Sequence, residues 1–239
     1  MGLIIKKTIA TLVIFLIIPL TVNALDWNWQ PDALNDISKY FFWVTETVSY
    51  PWAIISSILF SCLITILMPV KTKQKLIFLW LILISTILIG QILKSIIKIQ
   101  VAEPRPFVLW MAKEFNIDDK EFYSLSKVER KQLVHQLLVD SKTIPVWLRK
   151  HWEKEISYSF PSGHTIFATT WAFLAMIILG FRRHYLIVST FILWAIFIEV
   201  SRLLLGMHRP VDLIFGSFIA WGIALICYFY ARKWHIVAT

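Results

Sequence analysis

The stretch Ser201–Asp212 holds Arg202, His208 and Asp212 within a few turns of chain, between two long apolar runs. Charged groups are costly in that setting and persist where they serve a purpose. A guanidinium offers forked donors that match the oxygens of a phosphate. An imidazole near neutral pH can act as a nucleophile or a general acid. Pro210 is placed to open a helix, which puts Asp212 in its first turn, within reach of His208. A carboxylate on one ring nitrogen fixes the tautomer and leaves the other nitrogen free to attack, so His208 is the candidate nucleophile and Asp212 its orienter.

Two further clusters supply what this one lacks. Pro161-Ser162-Gly163-His164 precedes another apolar run, so backbone N–H groups at a helix N-terminus are available to an anion. His164 is then the candidate acid for the leaving oxygen. Lys98 and Arg105-Pro106 add two more cations. Lys98, Arg105, Arg202, Ser162 and Gly163 together describe a phosphate cradle served by two histidines. Singly, each residue has a plainer role: an interface anchor, a helix cap or a dipole acid. Their joint spacing and shared depth favour one site.

The elements that must position these residues follow from hydropathy. Of 239 residues, 58% are hydrophobic and 16% charged, and mean hydropathy is +0.68, which suits a bilayer rather than a soluble domain. Apolar runs occur near 8–25, 51–69, 76–97, 164–181, 185–205 and 211–231. The first reads either as a spanning helix or as a secretory signal peptide, since Lys6 and Lys7 precede it and Val22-Asn23-Ala24 resembles a cleavage site. Residues 26–50, acidic and rich in tryptophan, read as an external segment at the interface without chemistry of its own.

Six spans with an internal amino terminus place Lys6, Lys7, Lys71, Lys73, Lys75, Arg182, Arg183, Arg232 and Lys233 inside, with no acid among them. Such sorting satisfies the positive-inside rule and accounts for the net charge of +9 without nucleic acid as a partner. All three polar clusters then fall at the external ends of their helices. The polar stretch between spans three and four is too long for a turn. Ser126-Lys127-Val128-Glu129 has capping-box spacing ahead of a helix near 127–140, and Pro145 opens another. The expected architecture is an all-α integral membrane protein of six transmembrane helices, one domain over 1–239, with an external cap of short amphipathic helices inserted at 107–157.

Lys98-x6-Arg105-Pro106, Pro161-Ser162-Gly163-His164 and Ser201-Arg202-x5-His208-x3-Asp212 together resemble the three-part signature of the type-2 phosphatidic acid phosphatase superfamily, intact and in order. The resemblance implies a lipid phosphatase that needs no metal or other cofactor and works through a phosphohistidine. It implies phosphatidylglycerol phosphate as substrate, with phosphatidate, lysophosphatidate, diacylglycerol pyrophosphate and undecaprenyl pyrophosphate also accepted. An enzyme chiefly for undecaprenyl pyrophosphate is the rival within that class, and a lipid-phosphate transporter or binding protein is the rival outside it. The implied location is the bacterial cytoplasmic (inner) membrane, multi-pass, with the active site on the periplasmic side. A diacyl substrate further requires a lateral opening between spans at the depth of His208.

Several residues have weaker expectations. Glu199 lies one turn before Arg202 and is expected to pair with it or with Lys94, bracing the phosphate arginine as a supporting layer. Zinc on His164, His208 and Asp212 is disfavoured by the three cations nearby, and Cys62 and Cys227 lie inside apolar runs where neither a disulfide nor a metal site is expected. His135, His151, His184 and His235 match no motif and read as cap or interface residues.

Overall fold

The computed structural model describes residues 2–68 and 72–234. Lys71, counted above among the internal basic residues, and His235 lie outside the described residues. The described chain is helical throughout: α1 Gly2–Ala24, α2 Ser38–Glu46, α3 Trp52–Leu67, α4 Lys73–Val101, α5 Pro106–Glu114, α6 Asp119–Ser124, α7 Lys127–Leu138, α8 Val146–Lys154, α9 Gly163–Ile178, α10 Tyr185–Leu204 and α11 Pro210–Lys233. Among the described residues no strand occurs. Four stretches, containing α1, α4, α10 and α11, are long and apolar enough to cross a membrane; α3 and α9 are apolar but shorter.

α9 is the axis of the molecule. From His164 to Ile178 every residue is buried, and α1, α4, α10 and α11 all pack against it. A helix apolar on all sides has to be enclosed in this way. Ala168, Thr169, Thr170, Ala172 and Ala175 keep its girth small, so the neighbouring backbones approach closely. α3 and α4 instead turn Ile54, Ile58, Ile66, Leu81, Leu88, Ile92 and Ile96 outward, an apolar exterior that lipid would cover. α4 runs on past the apolar stretch to Val101, where Ala102 takes a left-handed conformation (φ 50°) and ends it.

The short helices α5–α8 share a second apolar cluster built on Phe107, Met111, Phe122, Val134, Leu148 and Trp152. The capping box at Ser126 forms as its spacing predicts, with the Ser126 side chain accepting from the Glu129 N–H. Pro145 stands as the N-cap of α8. Leu205 and Met207, in the turn between α10 and α11, belong to this second cluster. That turn therefore sits where the two cores meet. Gly206 makes it possible: its φ is +67°, and an added Cβ would lie 2.8 Å from the Trp29 ring. The indole N–H groups of Trp29 and Trp152 donate to the carbonyls of Leu204 and Leu205, 2.8 and 2.9 Å away, satisfying acceptors left open by the end of α10.

Candidate active site

His208 follows this turn, and its amide and that of Met207 both donate to the Arg202 carbonyl at 3.1 Å. Pro210 begins α11 and Asp212 occupies its first turn. Asp212 Oδ2 lies 3.1 Å from His208 Nδ1 and accepts the Arg209 amide at 3.0 Å. Ser159 Oγ donates to the same carboxylate oxygen and stands 3.2 Å from His208 Nδ1. An ionised carboxylate only accepts, so Nδ1 carries the ring proton and Nε2 presents its lone pair. That nitrogen faces Arg105 Nη1 at 3.4 Å. Burial, reinforced by the charges of Arg105, Lys98 and Arg202, lowers the His208 pKa well below the ordinary histidine value. The imidazole is therefore neutral at neutral pH.

The helix carrying His164 is joined to this centre through its cap. Ser162 is the N-cap of α9, its hydroxyl accepting from the Thr165 amide, while its own amide donates to the Asp212 carbonyl at 3.1 Å. A Cβ added at Gly163 would run into the Lys94 side chain, so a larger residue there requires that lysine to move. His164 Nε2 is 3.1 Å from Ser49 Oγ. Lys98, on the last turn of α4, donates to the carbonyls of Tyr158 and Ser159 at 2.5 and 2.9 Å and so holds the approach to α9.

The two arginines differ in their partners. Arg105, the N-cap of α5, donates through Nε to the Ser157 carbonyl, through Nη1 to the Met207 carbonyl and toward His208, and through Nη2 to Glu155 and the Ser157 hydroxyl. Among the described residues Arg202 donates only through Nη1, to Thr45 Oγ1 at 2.9 Å and His151 Nε2 at 3.2 Å, while Nε and Nη2 are buried with no partner. Glu155 pairs with Arg105 at 3.1 Å. Burial raises its pKa, but the positive charge around it, of His164 and His151 when protonated and of Arg105 and Arg202 throughout, outweighs that effect and holds the carboxyl below the usual carboxylate range. A carboxylate therefore stands at the centre of the cation cluster.

A cavity of roughly 290 Å³ is lined by Lys94, Lys98, Arg105, Gly163, His164 and His208, together with Glu155, Ser157 and the apolar Val48, Ala53 and Phe167. Ser162, Arg202 and Asp212 stand behind its wall, all buried. Eight of the residues singled out for catalysis or phosphate binding thus come together from three regions of chain that are remote in sequence, 98–105, 162–164 and 202–212. Glu199 does not join them. It is fully buried, its Oε1 accepts from Ser217 Oγ at 2.8 Å, and Oε2 has no partner among the described residues. The expected pairing of Glu199 with Arg202 or Lys94 is not formed: three residues of helix turn the two side chains to different neighbours, Glu199 toward α11 and Arg202 toward α2 and α8.

Five residues with no motif to mark them also take part: Ser159 on Asp212, Glu155 on Arg105, His151 and Thr45 on Arg202, and Ser49 on His164. His151, expected to be an ordinary cap or interface residue, lies buried beside Arg202. Proximity of Ser159 to the Pro161-Ser162-Gly163 segment was the one available signal; the others are recruited from segments that read as solvated.

An all-helical chain with an apolar exterior, and a buried imidazole–carboxylate pair facing Arg105 in a cavity lined by two lysines, defines a membrane protein built to handle phosphate esters. Residues 79–236 match the PAP2 superfamily, and the chain belongs to that superfamily. It is 40% identical over 228 residues to phosphatidylglycerophosphatase B of Escherichia coli (strain K12), a match covering 95% of this chain and 89% of the relative; the Shigella flexneri protein of the same name matches equally. Phosphatidylglycerophosphatase B of Haemophilus influenzae is 31% identical over 223 residues, covering 91% of this chain and 92% of the relative.

Proposed function

We propose that the chain is a lipid phosphatase of the bacterial inner membrane that removes the terminal phosphate of phosphatidylglycerol phosphate through a phosphohistidine. The observation that carries this reading is the pairing of His208 Nδ1 with Asp212, which leaves Nε2 facing Arg105 in a cavity shared with His164. His208 Nε2 attacks phosphorus and forms the P–N bond as the P–O bond to the lipid breaks. His164 donates its proton to the departing alkoxide, yielding phosphatidylglycerol. Water then attacks phosphorus, His164 takes its proton, and the P–N bond breaks to give inorganic phosphate and free His208. Arg105, Arg202 and Lys98 bind the phosphoryl oxygens, the Gly163 amide at the start of α9 adds a donor, and Ser162, whose own amide is held by the Asp212 carbonyl, caps that helix.

All five N–H groups of Arg105 already have acceptors, so an incoming phosphate takes the place of His208 Nε2 on Nη1, which frees that lone pair to attack, and of Glu155 on Nη2. These contacts address only a terminal phosphoryl group. The same cradle therefore suits phosphatidate, lysophosphatidate, diacylglycerol pyrophosphate and undecaprenyl pyrophosphate. The lipid enters sideways between α3 and α4, supported by the cavity lining, which draws Ala53 from α3 and Gln91, Lys94 and Lys98 from α4.

In this reading α1, α3, α4, α9, α10 and α11 are six spans of a single domain, residues 107–157 form an external cap, and the site faces the periplasm. The shortness of α9 is compatible with spanning because neighbours, not lipid, surround it. The test is release of phosphate from phosphatidylglycerol phosphate by purified protein in detergent with chelator present, and trapping of an acid-labile, base-stable phosphoenzyme. An active His208→Ala protein would overturn the nucleophile, activity lost on chelation would overturn the metal-free chemistry, and lipid binding without turnover would make the chain a carrier. Side-by-side turnover of undecaprenyl pyrophosphate ranks the two substrates.

A further inference from the structure

We propose that His151 is a positioning residue for the phosphate arginine, holding one N–H of Arg202 while leaving the opposite edge of the guanidinium free for substrate oxygens. The inference rests on the reading that Arg202 binds phosphate. His151 Nε2 lies 3.2 Å from Arg202 Nη1, and His151 Nδ1 lies 3.1 Å from Glu46 Oε1. A guanidinium only donates and an ionised carboxylate only accepts. The ring is consequently fixed as the Nδ1–H tautomer, accepting from Arg202 and donating to Glu46. Burial, together with the charge of Arg202, lowers the His151 pKa against the opposing hydrogen bond from Glu46, which keeps the ring neutral at neutral pH.

The choice of a neutral acceptor has a chemical consequence. A carboxylate at this place would form a forked ion pair with Arg202 and compete with phosphate for the same edge. The imidazole takes one donor, Thr45 Oγ1 accepts from the same nitrogen, and the buried Nε and Nη2 remain without partners. An unpartnered buried guanidinium edge is expensive unless a ligand completes it. The ring itself has little freedom. Phe42 meets it edge-on at 5.5 Å, and the adjacent Trp152 anchors α8 to the Leu205 carbonyl just beyond Arg202. Glu46 on α2, His151 on α8 and Arg202 on α10 thus form one line of hydrogen bonds that ends at Arg202, behind the cavity wall.

The experiment measures inhibition by inorganic phosphate during phosphatidylglycerol phosphate turnover by the full-length protein in detergent. His151→Phe keeps a ring but has no acceptor; its Ki for phosphate and KM for lipid should each rise roughly 10-fold, about 1.4 kcal/mol, with kcat changed far less. His151→Gln retains a donor and an acceptor, so Ki should return to within about threefold of wild type. A residue that only filled space would lower the active fraction and leave Ki unchanged, or would treat Phe and Gln alike; either result overturns the proposal. Arg202→Lys is run in parallel. If Ki rises in Arg202→Lys but not in His151→Phe, the positioning role alone fails, and if Arg202→Lys leaves Ki unchanged, the phosphate reading of Arg202 fails and takes the proposal with it.

Discussion

Replacing Asp212 by Asn isolates the charge of the orienting carboxylate. All three donors around Asp212 converge on one oxygen, Oδ2: His208 Nδ1–H, the Ser159 hydroxyl and the Arg209 amide. An amide oxygen in the same place can accept from each, so the start of α11 should be preserved. What disappears, in the proposed mechanism, is the attraction to the positive charge that His208 would acquire when Nε2 bonds phosphorus. At the 3.1 Å separation and an effective dielectric of about 20, that attraction is about 5 kcal/mol. A neutral amide recovers roughly 1–2 kcal/mol as a hydrogen bond. The remaining 3–4 kcal/mol corresponds to a loss of about 10²–10³ in kcat, with KM within about threefold because the arginines bind phosphate in both states. Steady-state phosphate release, with thermal unfolding as the control for folding, provides the assay. A variant within tenfold of wild-type kcat would refute the role of the Asp212 charge.

Ser159→Ala removes one donor from Asp212 and should lower kcat by about tenfold while sparing KM, read in the same assay. The acid limb of kcat/KM should lie below the ordinary histidine pKa, because burial and the charges of Arg105, Lys98 and Arg202 disfavour protonation of His208; activity should hold as pH falls to about 6.5 and fail only below it, and a limb above that value would contradict the neutral nucleophile. Glu199→Gln should retain activity within about twofold, since Glu199 bonds to Ser217 rather than to the cradle; a large loss of phosphate release would reinstate a catalytic tie. Gly206→Ala must strain a positive φ and displace the Trp29 ring, so thermal stability should fall by about 1–3 kcal/mol, measurable by denaturation in detergent.

The helices were legible in the chain where a single physical force decides them. Apolar runs became α1, α3, α4, α9, α10 and α11, with ends displaced by a few residues, and Ser126 and Pro145 marked starts that the structure contains. The grouping around the cavity was legible because charge in an apolar setting is conspicuous: Lys98, Arg105, Arg202, His164, His208 and Asp212 each stood out against their surroundings. Glu155, His151, Thr45 and Ser49 did not. They lie in polar segments where such residues are ordinary, and only long-range packing of α2 and α8 carries them inward. Glu199 erred in the opposite direction. Helical spacing placed it near Arg202, but proximity on a helix face does not decide which neighbouring helix a side chain meets.

The pair of indole contacts beneath the Gly206 turn bears on how the protein can be divided. Trp29, Thr45, Glu46 and Ser49 all precede residue 79, where the superfamily match begins, yet they support the His208 turn, Arg202, His151 and His164. A fragment trimmed to the matched region would keep every signature residue and lose the scaffolding that aims them. Inheritance of the chemistry and inheritance of its alignment thus reside in different parts of the gene, and damage to the unassuming leading segment should surface as failed catalysis.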